Sequence, residues 1–451
     1  MSIVLLPDEI EVRFRFHDAF GFPVCLWKKS NYENRIRIGI TTESASRTLK
    51  RCVKVYEKDG RLTTVPEFPE LGPAHDEPSW TLLCFVFRLD AKLLPLMLHR
   101  LSVYLETVDK EVSAIGEAQL VPSQMTSGQG VLELPLMSES LEPVGNIKVD
   151  YLIVQPFKHD SQMERPVDWW RPPKTGSLHI GHRGVGVSLH KNCRASEAEN
   201  TLPSLNLARK SGADYVEFDV SLTKDKELVL FHDSQVQIRQ ESQVVSQELR
   251  NMTASELKQA QVVEPSKAGE KKSEFFPTLT EALENVDESL GFLVEAKFPE
   301  PRSFAFDCNE YADILLTTLF QSAKSRRVIL TSFDADFCTA LRVKQSTYPV
   351  LFSTCLGHSA WPDFAVEIRS RSVNLSLAFT EAENFLGMNA FRNSFVENPS
   401  LIKSLQSKGK VLFLWSEKEM TKDDVQLLEE KGANGIIYDR IDVIRSETNV
   451  T

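Results

Sequence analysis

Acidic residues interrupt two apolar segments in the second half of the chain. Glu217 and Asp219 lie two positions apart in the run YVEFDV, and Glu295 lies in the run GFLVEAK, two positions before Lys297. Side chains two apart on a β-strand point to the same face. If the two runs are neighbouring strands, we expect all three carboxylates to converge on one place.

Three carboxylates held together would repel one another and lose hydration unless a cation lay between them. Oxygen ligands of this kind suit Mg²⁺ or Ca²⁺ better than zinc. His182 ends the run LHIGH, and His232 and Asp233 follow the apolar run LVLF. Histidine exchanges protons near neutral pH. The residues therefore indicate a divalent-cation site beside two groups that could transfer protons.

Each of these motifs alone also has a purely structural explanation. An E-x-D pair is usually a solvated strand face, and Glu295 and Lys297 could form a buried ion pair. The His232-Asp233 pair could be part of a turn. A site is indicated because the motifs all fall at the ends of predicted strands.

From residue 178 onward, short apolar runs alternate with helical stretches, which is typical of a parallel α/β fold. We predict a (β/α)8 TIM barrel, in which active sites lie at the carboxyl ends of the strands. The alternative is a doubly wound open sheet, which usually carries a glycine-rich phosphate loop. The predicted strands are 178–182, 215–220, 291–297, 327–333, 349–355, 372–378, 410–416 and 435–439.

The first 157 residues contain short, partly alternating β-rich runs separated by turn residues. We predict an all-β sandwich of C2-like type over 1–157 and a proline-rich linker over 158–176. The barrel domain then occupies 177–451, with a polar insertion at 234–276 that is a lid, a helical insertion or disordered. Trp169 and Trp170 in the linker either pack at a domain interface or stack on a ligand.

Composition excludes several classes of protein. The chain of 451 residues has a formal charge of −11, which argues against nucleic-acid binding and against docking on anionic membranes by charge. It has neither an apolar run long enough for a transmembrane segment nor the basic start of a signal peptide. Seven scattered cysteines without a CxxC pair favour reduced thiols and a cytoplasmic location.

The runs HRG, ENTLPSLNLARKSGADYVEFDVSLTKDKELVLFHD, VEAK and GANGIIYDR resemble the glycerophosphodiester phosphodiesterase family over about 178–440. SFDADFC, YPVLF, LRVKQ and GIIYDRI resemble its eukaryotic cytosolic, glycerophosphocholine-hydrolysing branch. Proteins of that branch often begin with a starch-binding domain, which is not recognisable here. Ala198 replaces a proline common in the family, and the loop from Gly184 to Thr201 is longer.

The resemblance implies a role for each matching position. Glu217, Asp219 and Glu295 would be metal ligands, for Mg²⁺ or Ca²⁺. The other roles are His182 and His232 as general acid and base, Arg183 and Lys297 on the substrate phosphate, and Asp233 as the residue that orients His232. His232 as acid and His182 as base is our preferred order, with the reverse order left open. Trp415 and Phe333 are candidate contacts for choline or glycerol, since a quaternary ammonium prefers aromatic faces; the alternative is that they pack in the core.

The implied function is metal-dependent hydrolysis of glycerophosphocholine to sn-glycerol 3-phosphate and choline, in glycerophospholipid catabolism. A cyclic phosphate could form first, because glycerol carries a hydroxyl next to the phosphate. The alternatives are a lysophospholipase D, another glycerophosphodiester hydrolase, or a non-catalytic interaction scaffold. The expected partner is a small glycerophosphodiester; the sequence does not specify protein partners of the β domain.

Overall fold

A computed structural model describes the chain over most of its length. Its strands and helices form an antiparallel β domain followed by an α/β barrel. None of the helices within the described ranges is long and apolar enough to cross a membrane. The described residues are 4–19, 22–27, 35–43, 50–57, 59–66, 80–107, 109–159, 170, 173, 176–189, 194–263, 275–298, 307–356 and 367–446.

In the described part of the β domain, ten antiparallel strands pair in the order β3-β7-β8-β9-β10-β1-β6-β4-β5, with β2 beside β10. Apolar side chains from both halves of this folded sheet form one core, which confirms the predicted sandwich. The strands are β1 Glu9–His17, β2 Val24–Leu26, β3 Arg35–Glu43, β4 Lys50–Glu57, β5 Leu62–Pro66, β6 Trp80–Asp90, β7 Leu98–Glu106, β8 Val112–Leu120, β9 Gln129–Met137 and β10 Pro143–Val154.

Eight parallel strands close into the predicted barrel, since the first of them pairs with both the second and the last. They are β11 Leu178–Gly181, β12 Tyr215–Leu222, β16 Gly291–Ala296, β17 Val328–Ser332, β18 Val350–Thr354, β19 Gly387–Phe391, β20 Val411–Trp415 and β21 Gly435–Tyr438. A short strand, β13 Leu228–Leu230, turns back antiparallel to β12 and leads the chain to His232.

Helices in the described ranges surround the barrel and pack on its outer face, except the second of them, which lies in the polar insertion. They are α1 Leu202–Lys210, α2 Ala254–Gln259, α3 Leu279–Asn285, α4 Cys308–Ser322, α5 Ala335–Lys344, α6 Val373–Ala382, α7 Asn393–Glu397, α8 Ser400–Ser407, α9 Lys422–Glu430 and α10 Ile441–Ile444. Short 3-10 helices occur at Ala91–Leu96, Pro122–Gln124, Leu249–Asn251 and Ile368–Ser370.

The prediction of a strand at 372–378 is wrong. That segment lies in α6, whose first turn is capped by Ser372, which accepts a hydrogen bond from the Leu375 amide. Its residues 375–380 are all buried, so the helix lacks the exposed face that normally reveals helical periodicity. The sixth strand is instead β19, whose sequence GMNAF contains a glycine and an asparagine and gives a weak strand signal.

The polar insertion after β13 is a small folded unit where the structure describes it. β14 Gln235–Gln240 and β15 Gln243–Glu248 form a hairpin, and α2 follows. Apolar side chains from the hairpin and from α2 form a separate core with Phe231 and Phe276. Residues 264–274 lie outside the described ranges.

Trp170 packs in the barrel interior at the end where the strands begin, and its indole N–H donates to the hydroxyl of Tyr215, the first residue of β12, at 3.2 Å.

Buried ion pairs join the two domains. Alternate residues of β1 enter the sandwich core, so Glu11, Arg13 and Arg15 point outward to the barrel helices. Arg13 makes two hydrogen bonds, of 2.8 and 2.7 Å, to the carboxylate of Glu383 at the end of α6, and Lys54 adds a third at 2.7 Å. The sandwich is therefore fixed to the barrel by charged groups that water does not reach.

A second set of ion pairs lies beside the first. Arg15 donates to Asp150 at 2.7 Å within the β domain and also contacts Asp336 of α5. Arg369 donates to the same Asp336 carboxylate at 2.6 Å. Such pairs are costly to break singly, because the remaining charge stays buried.

We expect Glu383→Ala to lower the free energy of unfolding by about 3–5 kcal/mol, because Arg13 and Lys54 lose a buried counter-ion. The matched control is Glu381→Ala at the end of the same helix. Glu381 pairs with Lys408, whose side chain is 44% exposed, so its removal should cost about 0–1 kcal/mol. Urea denaturation of both variants measures the difference, and equal destabilisation would contradict the role of the buried pairs.

Candidate active site

The three predicted acids converge at the carboxyl ends of β12 and β16. These strands pair in parallel with Asp219 opposite Glu295, and Glu217 faces the same interior two residues earlier. Glu217, Asp219 and Glu295 each offer a ligand atom, and these atoms all lie within 4.8 Å of one another. The side chains are almost fully buried, with relative exposures of 3%, 1% and 6%. The structure thus brings together the carboxylates that the sequence predicted would meet.

Specific hydrogen bonds hold these carboxylates in place. The Arg183 amide donates to Glu217 Oε2 at 2.9 Å. Asn200 Nδ2 donates to Asp219 Oδ2 at 2.9 Å, and the Asp219 amide donates back to Asn200 Oδ1 at 3.1 Å. Lys297 Nζ lies 2.9 Å from Asp219 Oδ1 and also contacts Glu295.

The loop that carries Arg183 depends on an unusual backbone. Gly184 has a φ of +100°, and a Cβ there would lie 2.1 Å from Ser204 Oγ, so the position requires glycine. Arg183 Nη1 then donates to Glu199 at 2.8 Å, and its Nε lies 3.4 Å from Asp219. Its guanidinium therefore lies against the acidic cluster.

The electrostatics of the cluster favour a cation. Burial, together with the Asp219 charge, raises the pKa of Glu217 to about 8. Burial also raises the pKa of Glu295, whereas Lys297 and other cationic groups outweigh burial and lower the pKa of Asp219. Glu199 adds a fourth buried acid, so when all four acids are ionised their negative charge exceeds the positive charge of Arg183 and Lys297 by two. One divalent cation would balance this charge, and the all-oxygen donor set fits such an ion.

Both predicted histidines lie beside the cluster, each paired with an aspartate. His182 Nδ1 is 2.8 Å from Asp439 Oδ1, and His232 Nδ1 is 2.6 Å from Asp233 Oδ1. Although burial opposes it, Asp439 raises the pKa of His182. Burial, with the nearby cations Arg183 and Lys297, lowers the pKa of His232 to about 4. At neutral pH these effects favour a charged His182 and a neutral His232.

Aromatic side chains form one wall of the barrel mouth. The rings of Phe333 and Trp415 meet edge to face with centroids 5.8 Å apart, and Phe391 lies 5.2 Å from Trp415. The Lys297 ammonium lies 5.7 Å from the centroid of Phe333. The two aromatic residues singled out in the sequence therefore adjoin the charged cluster, together with a third that was not.

Sequence reasoning assigned no role to Glu199, Asn200 or Asp439, which contact Arg183, Asp219 and His182 respectively. The first two belong to the ENT motif, and Asp439 follows the last barrel strand directly. A polar residue just after a barrel strand was the signal available for Asp439. Glu199 and Asn200 lie on a loop, and no periodic pattern indicates which way a loop residue points.

Comparison with known proteins gives a consistent result. The model of the glycerophosphoryl diester phosphodiesterase family matches residues 182–443, and that of the GDE1-like C2 domain matches residues 81–158. Glycerophosphocholine phosphodiesterases of Rattus norvegicus and Homo sapiens are each 30% identical to this chain, over 97% of it and 72% of their own length. This chain is also similar to a crystal structure of a glycerophosphoryl diester phosphodiesterase from Silicibacter pomeroyi, with a TM-score of 0.50 and 19% sequence identity. The match covers 62% of this chain and 96% of that one and supports the fold.

Because the pKa of Glu217 is raised to about 8, this group is mostly protonated in metal-free protein at pH 7. A divalent cation needs the ionised carboxylate, so binding at pH 7 should release about one proton. At pH 9.5 Glu217 is already ionised and the release should nearly vanish. Calorimetric titration of EDTA-treated protein with Mg²⁺ or Ca²⁺, in buffers of different ionisation enthalpy, measures the protons released.

The matched control is Glu217→Gln, which keeps the shape of the side chain but has no proton to lose. We expect this variant to bind the cation more weakly, without proton release from this position. Equal proton release by the two proteins at pH 7 would contradict the assignment of Glu217 as a ligand.

Proposed function

We propose that this chain, which belongs to the glycerophosphoryl diester phosphodiesterase family, hydrolyses glycerophosphocholine to sn-glycerol 3-phosphate and choline. The observation that carries this proposal is the buried group Glu217, Asp219 and Glu295, with His182 and His232 beside it at the barrel mouth. Two proton-transferring groups next to an anion-stabilising centre are what phosphodiester hydrolysis needs.

Glu217, Asp219 and Glu295 would hold a divalent cation, for which Mg²⁺ and Ca²⁺ are the candidates. When bound, it supplies positive charge close to the non-bridging phosphate oxygens. Arg183 and Lys297 would add positive charge on the same side of the substrate. Lys297 is suited to this task because its Nζ already lies at the mouth, between Asp219 and Glu295.

The charge environment supports one order for the two histidines. The raised pKa of His182 suits a group that donates a proton to the leaving choline, and the lowered pKa of His232 suits a base. This is the reverse of the order preferred from sequence, where the partner of His182 had not been identified. Asp439 and Asp233 would fix which ring nitrogen of each histidine faces the substrate.

Trp415 and Phe333 are proposed as contacts for the organic groups of the substrate. Their rings meet at the mouth, close to Lys297. Aromatic faces bind both a quaternary ammonium and the C–H groups of glycerol. Which group they meet depends on the direction in which the diester lies across the barrel.

We further propose the domain division 1–157, 158–176 and 177–451 with the insertion 234–276. In this division the β sandwich supports the barrel helices α5 and α6 through the buried ion pairs. A cytoplasmic location is supported by the six cysteines in the described ranges, all of which are free thiols.

Replacement of either histidine by alanine should reduce kcat for glycerophosphocholine by about 10²- to 10⁴-fold with little change in KM. A second substrate, the 4-nitrophenyl ester of glycerol 3-phosphate, separates the two roles. Its leaving group departs without protonation, so the variant that lacks the acid should recover much of its activity. We expect this recovery for His182→Ala and not for His232→Ala.

The control is Asp233→Asn, which disturbs the orientation of His232 but leaves the ring in place and should cost less than His232→Ala. Normal turnover of glycerophosphocholine by His182→Ala would overturn its catalytic role. Recovery by His232→Ala instead of His182→Ala would reverse the assigned order.

A further inference from the structure

A chain of polar side chains runs around the barrel interior from the acidic cluster to the opposite wall. Glu295 on β16 lies in register with Thr331 on β17. Thr331 Oγ1 is 2.7 Å from Ser353 Oγ on β18, and Asn389 Nδ2 on β19 lies 3.0 Å from that same oxygen. Thr331, Ser353 and Asn389 are almost fully buried, and the mechanism described above uses none of them.

The geometry fits one set of hydrogen-bond directions along this chain. Thr331 has one hydroxyl proton, which it donates to the Leu351 carbonyl oxygen at 3.0 Å. Ser353 then donates its own proton to Thr331, and its oxygen accepts from Asn389 Nδ2. The amide of Asn389 therefore presents its NH₂ group to Ser353 and its carbonyl oxygen to the barrel interior.

That oxygen, Asn389 Oδ1, has no hydrogen-bond partner among the described residues, and the side chain is only 3% exposed. An acceptor left unpaired in the interior costs about 1–3 kcal/mol, because it gave up hydrogen bonds to water. A ligand that supplied a donor at this point would recover that energy. Asn389 thus has the properties of a recognition group for a hydroxyl.

We propose that Asn389 binds the terminal hydroxyl of the glycerol moiety and so selects glycerol as the substrate's alcohol; this inference rests on the proposed function. Among the parts of glycerophosphocholine, the phosphate is an acceptor and choline has no N–H. The choline group also has no hydroxyl once it is esterified. Only the two glycerol hydroxyls can donate to the Asn389 carbonyl.

The position of β19 favours the terminal hydroxyl over the central one. β19 is four strands from β12 around the eight-stranded barrel, which places Asn389 across the interior from Asp219. The central hydroxyl is close to phosphorus and stays near the acidic cluster, whereas the terminal hydroxyl reaches further. Phe391 and Trp415, the next interior residues of β19 and β20, would pack on the glycerol C–H groups.

This arrangement has a consequence for lipid substrates. A lysophospholipid carries an acyl chain on the terminal hydroxyl, which removes the donor and adds bulk in a closed part of the barrel. The proposal therefore favours glycerophosphodiesters over the lysophospholipase D alternative.

The test compares two substrates on two proteins. One substrate is glycerophosphocholine, and the other is its analogue in which the terminal CH₂OH is a methyl group, so that the central hydroxyl and choline are kept. Wild-type protein with its metal should prefer glycerophosphocholine in kcat/KM by about 10- to 100-fold, the range expected for one hydrogen bond to a buried acceptor. Asn389→Ala should lower this preference to near unity, and Ser353→Ala, which frees the amide to rotate, should lower it part of the way.

Asn309→Ala provides the matched control. Asn309 is also buried, but both ends of its amide are bonded, to the Ile153 carbonyl and the Gln155 amide in the β domain. This variant should lose stability and keep the wild-type substrate preference. Circular dichroism of each variant confirms that a loss of preference is not a loss of fold.

Three outcomes would count against the proposal. If Asn389→Ala keeps the full preference, Asn389 does not contact the terminal hydroxyl. If it lowers kcat/KM equally for both substrates, Asn389 has only a structural role. If wild-type protein hydrolyses neither diester, the proposed function itself fails, and this result is distinct from the other two.

Discussion

The excess of buried negative charge at the barrel mouth is the constraint on which the rest of the site depends. Four acids, Glu199, Glu217, Asp219 and Glu295, lie within the fold, where Arg183 and Lys297 form ion pairs with three of them. Ionised carboxylates are stable in such a place only when paired or bound to a cation. Burial and the Asp219 charge raise the pKa of Glu217, which is the behaviour of a carboxylate without a sufficient counter-charge.

The surrounding strands and loops fix the positions of these acids. Adjacent parallel strands place acids side by side, and the strained loop at Arg183 and Gly184 directs a guanidinium and a backbone amide at them. On the outer face of the barrel, buried ion pairs join α5 and α6 to the β sandwich. These two charged regions differ in kind: the interface is closed by matched partners, whereas the barrel mouth leaves net charge for a ligand to neutralise.

Much of this arrangement could be predicted from sequence. Period-two spacing on apolar strands identified Glu217, Asp219 and Glu295 as neighbours, because strand geometry fixes which side chains share a face. The strand at β19 was missed, since its short sequence with glycine and asparagine resembles a loop and the buried middle of α6 resembles a strand. No local sequence pattern indicates the contact of Asn200 with Asp219 or that of Arg13 with Glu383. Both contacts join residues from different parts of the fold.

The most direct measurement is choline release from glycerophosphocholine by the purified protein, before and after EDTA treatment and after Mg²⁺ or Ca²⁺ is restored. A Glu217→Ala variant is measured in parallel. If the buried acids hold a catalytic cation, release stops with EDTA, returns with one of the two metals and stays absent in the variant. Undiminished release after complete metal removal, or normal release by Glu217→Ala, would contradict this account.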